Sequence, residues 1–184
     1  MNAQRLLGQR VRLEALQAQA DLDVMQKWTS HSAAWRLLDA VNTRWRGPKD
    51  NAPEAENRAQ QFYFRIYPLS GDRPIGQTGL FGIDWPARLA WLGIGLADRA
   101  LWDGGYGVDA LQVLLGYGFN QLSLRRILVG VFDYDAHAIL AYEQAGFAIE
   151  GRVLQEAGHA GLPRAGVYMG LRREDWTTVG AGRN

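Results

Sequence analysis

Not one cysteine occurs among the 184 residues. That absence excludes a disulfide framework, a Cys-ligated zinc or iron–sulfur centre and a cysteine nucleophile. Excess charge of either sign is missing as well: 20 Lys and Arg stand against 19 Asp and Glu, a net charge of +1. So even a balance gives no electrostatic footprint for nucleic acid or an anionic membrane, and neither is expected as a partner. No stretch approaches the ~18 consecutive apolar residues of a membrane-spanning helix. Residues 1–16 are broken every few positions by Arg or Gln and carry neither a secretory nor a transit signal, so the cytoplasm is the expected location. No repeat with a period of 20–50 residues is present, which excludes solenoids and propellers. His31, His137 and His159 lie far apart without metal-ligand spacing, and no metal site is expected. Neither a G-x-S-x-G nucleophile elbow nor a Walker loop occurs.

What the chain does have is 47% hydrophobic, 21% charged and 11% aromatic residues, the proportions of a globular protein. A chain of this length buries roughly 70% of the surface that its unfolded form exposes. That is enough for a core without metal or disulfide support, and one domain over 1–184 is expected. Val11, Leu13 and the pair Ala15-Leu16 predict a first short strand. Residues 21–28 carry Leu22, Met25 and Trp28 at helical spacing, and 29–41 predict a second helix. Residues 42–53, with Gly47-Pro48, Asp50 and Asn51, read as loop, and Asn51 with Pro53 opens a short helix. The period then falls to two, as Phe62, Phe64 and Ile66 alternate with Tyr63, Arg65 and Tyr67. Turns at 70–72 and 84–88 set off strands over 75–83 and 89–96, an antiparallel meander. A helix over 108–122, a strand over 126–132, a helix over 135–145 and strands over 147–153 and 165–171 complete the order. The fold class predicted is α+β, a mixed, mostly antiparallel central sheet with flanking helices.

The densest chemical signal is Gly104-Gly105-Tyr106-Gly107, three glycines in four residues where a strand has ended and a helix begins. Free backbone N–H groups and the positive end of the helix dipole make such a place an anion site suited to a pyrophosphate. Glycine lets the ligand approach the backbone closely. Gly105, Gly107 and Ala110 also fit the loose dinucleotide fingerprint G-x-G-x-x-G/A, with Asp133 placed as a ribose-binding acid, the reading of an NAD-dependent oxidoreductase. Position weighs against it. Residues 97–104 separate strand from fingerprint where a tight turn is required, and only one parallel strand-helix unit follows. A plain glycine-rich connection is the third reading.

Residues 92–111, L-G-I-G-L-A-D-R-A-L-W-D-G-G-Y-G-V-D-A-L, resemble the acyl-CoA loop of the GNAT superfamily of N-acyltransferases, in the subgroup that acetylates ribosomal-protein N-termini and various small amines. Residues 135–147, D-A-H-A-I-L-A-Y-E-Q-A-G-F, resemble that family's N-x-x-A-x-x-x-Y-x-x-x-G-F. The opening L-G-Q-R-V-R-L (7–13) and the closing Y-M-G-L-R-R-E-D-W (168–176) are similar to the same subgroup, so the likeness covers nearly the whole chain. It implies a sheet splayed open between its fourth and fifth strands with pantetheine in the gap. It implies acetyl-CoA as co-substrate, with Leu96 and Ala97 offering backbone groups to the pantetheine and the N–H groups around Gly104, Gly105, Tyr106, Gly107 and Val108 holding the pyrophosphate. Asp135 and Ala138 fall at further cofactor contacts. Tyr142 falls on the tyrosine whose hydroxyl protonates the departing thiolate, a role worth about 10² to 10⁴ in rate. The acceptor implied is a primary amine, on a small molecule or a protein N-terminus, attacking directly. Trp35, Trp85 and Trp91 are the acceptor-pocket candidates, and a homodimer is allowed for.

Departures from the family pattern carry expectations of their own. Asp135 stands where the family usually has asparagine, which puts a negative charge near a polyanion. Trp91 stands where the subgroup often has a glutamate that accepts the amine's proton. Gly104 replaces the basic residue common in the loop, with acidic Asp103 beside it. An alkylamine has a pKa near ~10, so a base or a water relay is needed to make the neutral nucleophile. Asp84 and Asp133, near strand ends, are the candidates for that base, against their reading as solvated turn residues. These departures keep a non-catalytic acyl-CoA-binding protein of the same fold as the alternative to an N-acetyltransferase.

Overall fold

Strands form where apolar residues recur at every second position, because that period lays one side of the ribbon against a core. The computed structural model describes residues 5–16, 61–155 and 164–176. The helices expected over 21–28 and 29–41, the loop over 42–53 and the short helix after it lie outside these residues, as do Trp28, Trp35, Trp45, His31 and His159. Within them the strands are β1 Arg5–Leu7, β2 Val11–Ala15, β3 Phe62–Pro68, β4 Gly76–Asp84, β5 Leu89–Leu96, β6 Arg126–Phe132, β7 Ala148–Gln155 and β8 Arg164–Arg172. The helices are α1 Tyr106–Gly116 and α2 Ala136–Ala145, and a 3-10 turn, Arg99–Gly104, precedes α1.

One sheet runs in the order β1-β2-β3-β4-β5-β6-β8-β7. Every neighbouring pair is antiparallel except β5 with β6. That topology is the α+β sheet expected from the sequence, and a single parallel pair does not make the doubly wound sheet that a dinucleotide fold requires. The short β1 had no alternation to betray it. It adds one to the strand count, so the gap expected between the fourth and fifth strands lies between β5 and β6.

That gap follows from the register. β5 and β6 pair only at Leu89–Arg126, Ala90–Ile127 and Trp91–Leu128. Beyond Trp91, β5 stays with β4 as far as Leu96 opposite Gly76, while β6 stays with β8 as far as Phe132 opposite Gly166. Each strand is held by its other neighbour, and the two diverge.

Helix α1 closes one face of the sheet. Ala110, Leu111, Leu114 and Leu115 are all fully buried, a stripe at helical spacing, and pack with Val11, Leu13, Phe64, Ile66, Leu80, Leu92, Ile127 and Val129 in one core. Each fully buried leucine of the stripe contributes about 1.5–3 kcal/mol relative to exposure, so the stripe fixes where the start of α1 points. The helix expected over 108–122 is in fact two pieces. α1 stops at Gly116, and a wider π-type turn, Tyr117–Gln121, follows, closed by Leu122 N–H donating to Tyr117 O at 3.1 Å. Gly116 and Gly118 weaken the α-helix there, and Gly118 has no room for a side chain because a Cβ would stand 2.9 Å from Ile127 Cδ1.

Helix α2 is bounded by Asp135, whose carboxylate accepts from Ala138 N–H at 3.1 Å, and by Gly146 in left-handed backbone at φ 106°. Gln112 of α1 donates through Nε2 to Ala145 O at 3.1 Å and accepts from Trp176 Nε1 at 3.1 Å. One side chain thereby ties α1, the end of α2 and residue 176 together.

Candidate active site

The divergence of β5 from β6 leaves backbone groups without a strand partner. Ala97 N–H donates to Ile75 O at 2.9 Å, on the β4 side. Backbone groups alternate along an antiparallel ladder, so those of Gly93 and Gly95 also turn to β4 and those of Leu92, Ile94 and Leu96 turn to the gap. Leu96, which the resemblance offered as a pantetheine contact, thus turns its backbone groups to the gap. Ala97 has only its carbonyl left for that use, and Ile94 is a position that the sequence did not single out.

The glycine-rich loop reaches the gap through a short capped turn. Asp98 accepts from Ala100 N–H at 3.0 Å and starts the 3-10 turn. Gly105, at φ 73°, turns the chain into α1 through left-handed backbone that a side chain would strain. No side chain caps α1. Its first-turn N–H groups, at Tyr106, Gly107 and Val108, are the donors that a helix leaves unmatched, and they carry the positive end of its dipole. Gly107 is informative. Among the described residues a Cβ there would meet only Leu96 Cδ1, at an ordinary 3.7 Å, so none of them demands glycine. The Tyr106 ring lies against Gly104 instead, 2.7 Å from where a Cβ would stand.

These elements enclose a cleft of about 300 Å³. Its walls are Ile94, Gly95 and Leu96 of β5, Trp102 and Asp103 of the 3-10 turn, Gly105, Gly107, Val108 and Leu111 at the head of α1, and Asp135, His137, Ala138, Leu140, Ala141, Tyr142 and Gln144 from α2 and its cap. The structure thus brings together Leu96, Gly105, Gly107, Val108, Asp135, Ala138 and Tyr142 from three separate stretches of sequence. An extended thioester with a diphosphate at one end fits this donor set: open amides at the helix head, strand edges along the gap, and space at Gly107 that a side chain would fill.

Asp135 is engaged as the N-cap of α2, which accounts for an acid where the resembling family has asparagine, since either side chain can accept Ala138 N–H. His137 and Trp102, which sequence spacing gave no reason to pair, meet at the cleft edge in a T-shaped contact with centroids 5.6 Å apart, and Arg99 stacks on Trp102 at 5.4 Å.

Tyr142 is 5% exposed, its ring edge-on to Phe147 at 5.6 Å. Burial, and after it the negative charge of Asp135, push its phenol well above the usual range. Among the described residues its hydroxyl has no hydrogen-bond partner, so it stays protonated and available to a ligand in the cleft. Burial also raises Tyr63 and Tyr117. In the unfolded chain these phenols ionise near pH ~10, and in the fold they resist. Stability should therefore be intact below about pH 10 and fall as pH rises beyond it. Urea melts between about pH 9 and about pH 11 should show this loss, and Tyr142→Phe should lose less over the same interval. Equal losses in the two proteins would mean that Tyr142 ionises as freely folded as unfolded.

The other predicted residues lie elsewhere. Trp91, the last β5 residue paired with β6, is on the sheet face away from α1, and its ring meets Tyr168 of β8 edge-on at 6.1 Å. On that same face Gln77 is 3% exposed, and its Nε2 has no acceptor among the described residues. Trp85 is 42% exposed in the β4–β5 turn, at the opposite end of β5 from the cleft. Asp84 accepts from Ala87 N–H at 2.9 Å in that turn, and Asp133 is exposed in the turn after β6. Neither aspartate lines the cleft.

Among the described residues no group of three His, Asp or Glu is gathered to hold a metal, and no helix is long and apolar enough to cross a membrane. A family model described as acetyltransferase (GNAT) domain matches residues 10–148. Over 99 residues the chain is 33% identical to the Bacillus subtilis (strain 168) protein named "Probable N-acetyltransferase YjcK", which is 53% of this chain and 54% of that one. The chain thus spans about half the length of that curated relative. Among solved structures, the spermidine N-acetyltransferase of Vibrio cholerae in complex with CoA and spermine superposes with a TM-score of 0.73 at 19% identity, covering 91% of this chain and 98% of that one. A proposed ribosomal-protein-serine acetyltransferase from Vibrio cholerae superposes with a TM-score of 0.64 at 19% identity, covering 92% and 97%.

Proposed function

As the chain belongs to the acetyltransferase (GNAT) domain family, we propose that it is an N-acetyltransferase that moves the acetyl group of acetyl-CoA to a primary amine. The observation that carries this reading is the uncapped head of α1 facing the β5–β6 gap, with a protonated Tyr142 in the wall of the same cleft.

Bound acetyl-CoA supplies an acyl group already activated as a thioester. The first-turn N–H groups of Tyr106, Gly107 and Val108 take its diphosphate, and the gap-facing groups of Ile94 and Leu96 take the pantetheine amides. The amine nitrogen attacks the thioester carbonyl, a C–N bond forms, and the C–S bond breaks with its electron pair on sulfur. Tyr142 donates its hydroxyl proton to that sulfur, and the amine's own proton leaves through water, which returns one to the Tyr142 phenolate, since Asp84 and Asp133 sit in turns away from the cleft. Trp91, on the face opposite α1 at the apex of the gap, supports entry of the acceptor from that face. There an indole suits an ammonium ion before it loses its proton. The reading therefore keeps Trp91 in the acceptor pocket and leaves out Trp85. Within the family it extends to the subgroup that acetylates ribosomal-protein N-termini and small amines, for which the acceptor is a protein N-terminus or a polyamine.

Ligand-dependent melting tests the reading. A ligand at 100 times its Kd stabilises the folded state by about 2.7 kcal/mol, which is a rise of several degrees for a chain of this length. Acetyl-CoA should produce that rise and NAD should not. A melting temperature that moves with NAD and stays still with acetyl-CoA would overturn the assignment.

A further inference from the structure

The glycine-rich loop contains no cation. After Arg99, which opens the 3-10 turn and lies over the Trp102 ring, residues 100–111 hold two acids, Asp103 and Asp109, and no Lys or Arg. Backbone amides alone would face a diphosphate there, with Asp103 in the cleft wall opposing it.

A cation arrives from the other end of the chain. The carboxylate of Asp109, in the first turn of α1, accepts three successive backbone N–H groups from the turn between β1 and β2: Gln9 at 3.1 Å, Arg10 at 2.7 Å and Val11 at 2.9 Å. Gly8 makes room for this clamp, since a Cβ there would collide with the Asp109 carboxylate. The clamp turns the Asp109 charge toward the β1–β2 turn and away from the helix head. It also lays the Arg10 side chain along the loop: Nε stands 3.5 Å, and Cζ 4.0 Å, from where a Cβ on Gly105 would be. Arg5 and Arg12, on the flanking strands, are each paired with Glu14 at 3.0 Å. Arg10 has no carboxylate partner among the described residues. An exposed, unpaired guanidinium held beside the left-handed Gly105, next to the open amides of α1, has the planar fork that grips phosphate oxygens.

The geometry points to Arg10 as the cation that binds the diphosphate of acyl-CoA, replacing from the β1–β2 turn the basic residue that the loop lacks. This rests on the acyl-CoA reading above and adds a binding residue to it. A charge-assisted hydrogen bond of this kind changes Kd by about 10- to 100-fold.

Calorimetry on the full chain decides it, with CoA, 3′-dephospho-CoA and the phosphate-free thioester S-acetylpantetheine as probes. Arg10→Gln should raise the Kd for CoA and for 3′-dephospho-CoA by the same about 10- to 100-fold, leave S-acetylpantetheine binding within about twofold, and leave the ligand-free melting temperature unchanged, because the clamp uses Arg10's backbone and not its side chain. Arg10→Lys should recover part of the loss by keeping the charge. The inference fails if Arg10→Gln binds CoA like the wild type. It fails equally if the phosphate-free thioester loses as much, which would mark a structural role, or if the penalty vanishes with 3′-dephospho-CoA, which would put Arg10 on the ribose phosphate. A wild-type protein that binds no CoA brings down the acyl-CoA reading and Arg10 with it; wild-type binding with an indifferent Arg10→Gln brings down Arg10 alone.

Discussion

Gly107→Val will abolish measurable acetyl-CoA binding, a loss of about 100-fold or more, in a protein that still folds. The choice of glycine decides whether binding alone is tested. Gly105 sits at φ 73°, where a side chain strains the backbone itself, and a Cβ on Gly104 would run into the Tyr106 ring. Substitution at either would confound folding with binding. Gly107 has an ordinary helical backbone, and among the described residues a Cβ there meets Leu96 Cδ1 at 3.7 Å and nothing closer. The bulk of valine therefore has to go into the cleft, over the N–H groups that hold the diphosphate. Far-UV circular dichroism and the ligand-free melting temperature should match the wild type. Unchanged CoA affinity in that folded variant would place the diphosphate elsewhere.

The second large effect concerns Tyr142. The phenylalanine variant keeps the ring packed on Phe147 and removes only the hydroxyl, which has no partner to lose among the described residues. If that hydroxyl delivers the proton to the leaving sulfur, kcat falls by about 10² to 10⁴. Acetyl-CoA affinity should change little, because a group used mainly in the transition state contributes little to ground-state binding. Burial gives the prediction its direction. A phenol held above its usual range stays protonated through neutral pH, so the proton is in place when the sulfur departs. Single-turnover rates that are equal in the two proteins would show that water or another acid does this work.

How much of this was legible in the sequence differs by element, for physical reasons. The alternation of Phe62, Phe64 and Ile66 and the β-branched run at 126–132 announced strands, because a period of two has no other regular explanation. β1 was missed because three residues, Arg5, Leu6 and Leu7, cannot display a period. The helical end near Leu122 shows in the apolar spacing, while the widening after Gly116 does not, because Gly116 and Gly118 loosen the helix beneath an unchanged pattern. Within the candidate site, the glycines and Tyr142 stood out as motifs. The state of Ala97 did not, since its N–H is engaged by Ile75 through a pairing that only the β4–β5 register reveals. The contact of His137 with Trp102 joins two elements across the cleft. The Asp109 clamp joins residues 98 to 100 positions apart, and no local spacing rule reaches that far.

The central claim is acetyl transfer from acetyl-CoA to an amine at the β5–β6 gap, and release of free CoA thiol across a panel of primary amines tests it most directly. The panel should span polyamines, small aliphatic amines and peptides with free N-termini, with the acetylated product weighed by mass spectrometry. The account predicts thiol released one-for-one with N-acetylated amine for at least one class, dependent on both substrates and nearly lost in Tyr142→Phe. Tight acetyl-CoA binding without thiol release against every amine would contradict it and leave a protein that binds acyl-CoA without turning it over, with Trp91→Glu and Asp135→Asn the first changes to make in an attempt to restore activity.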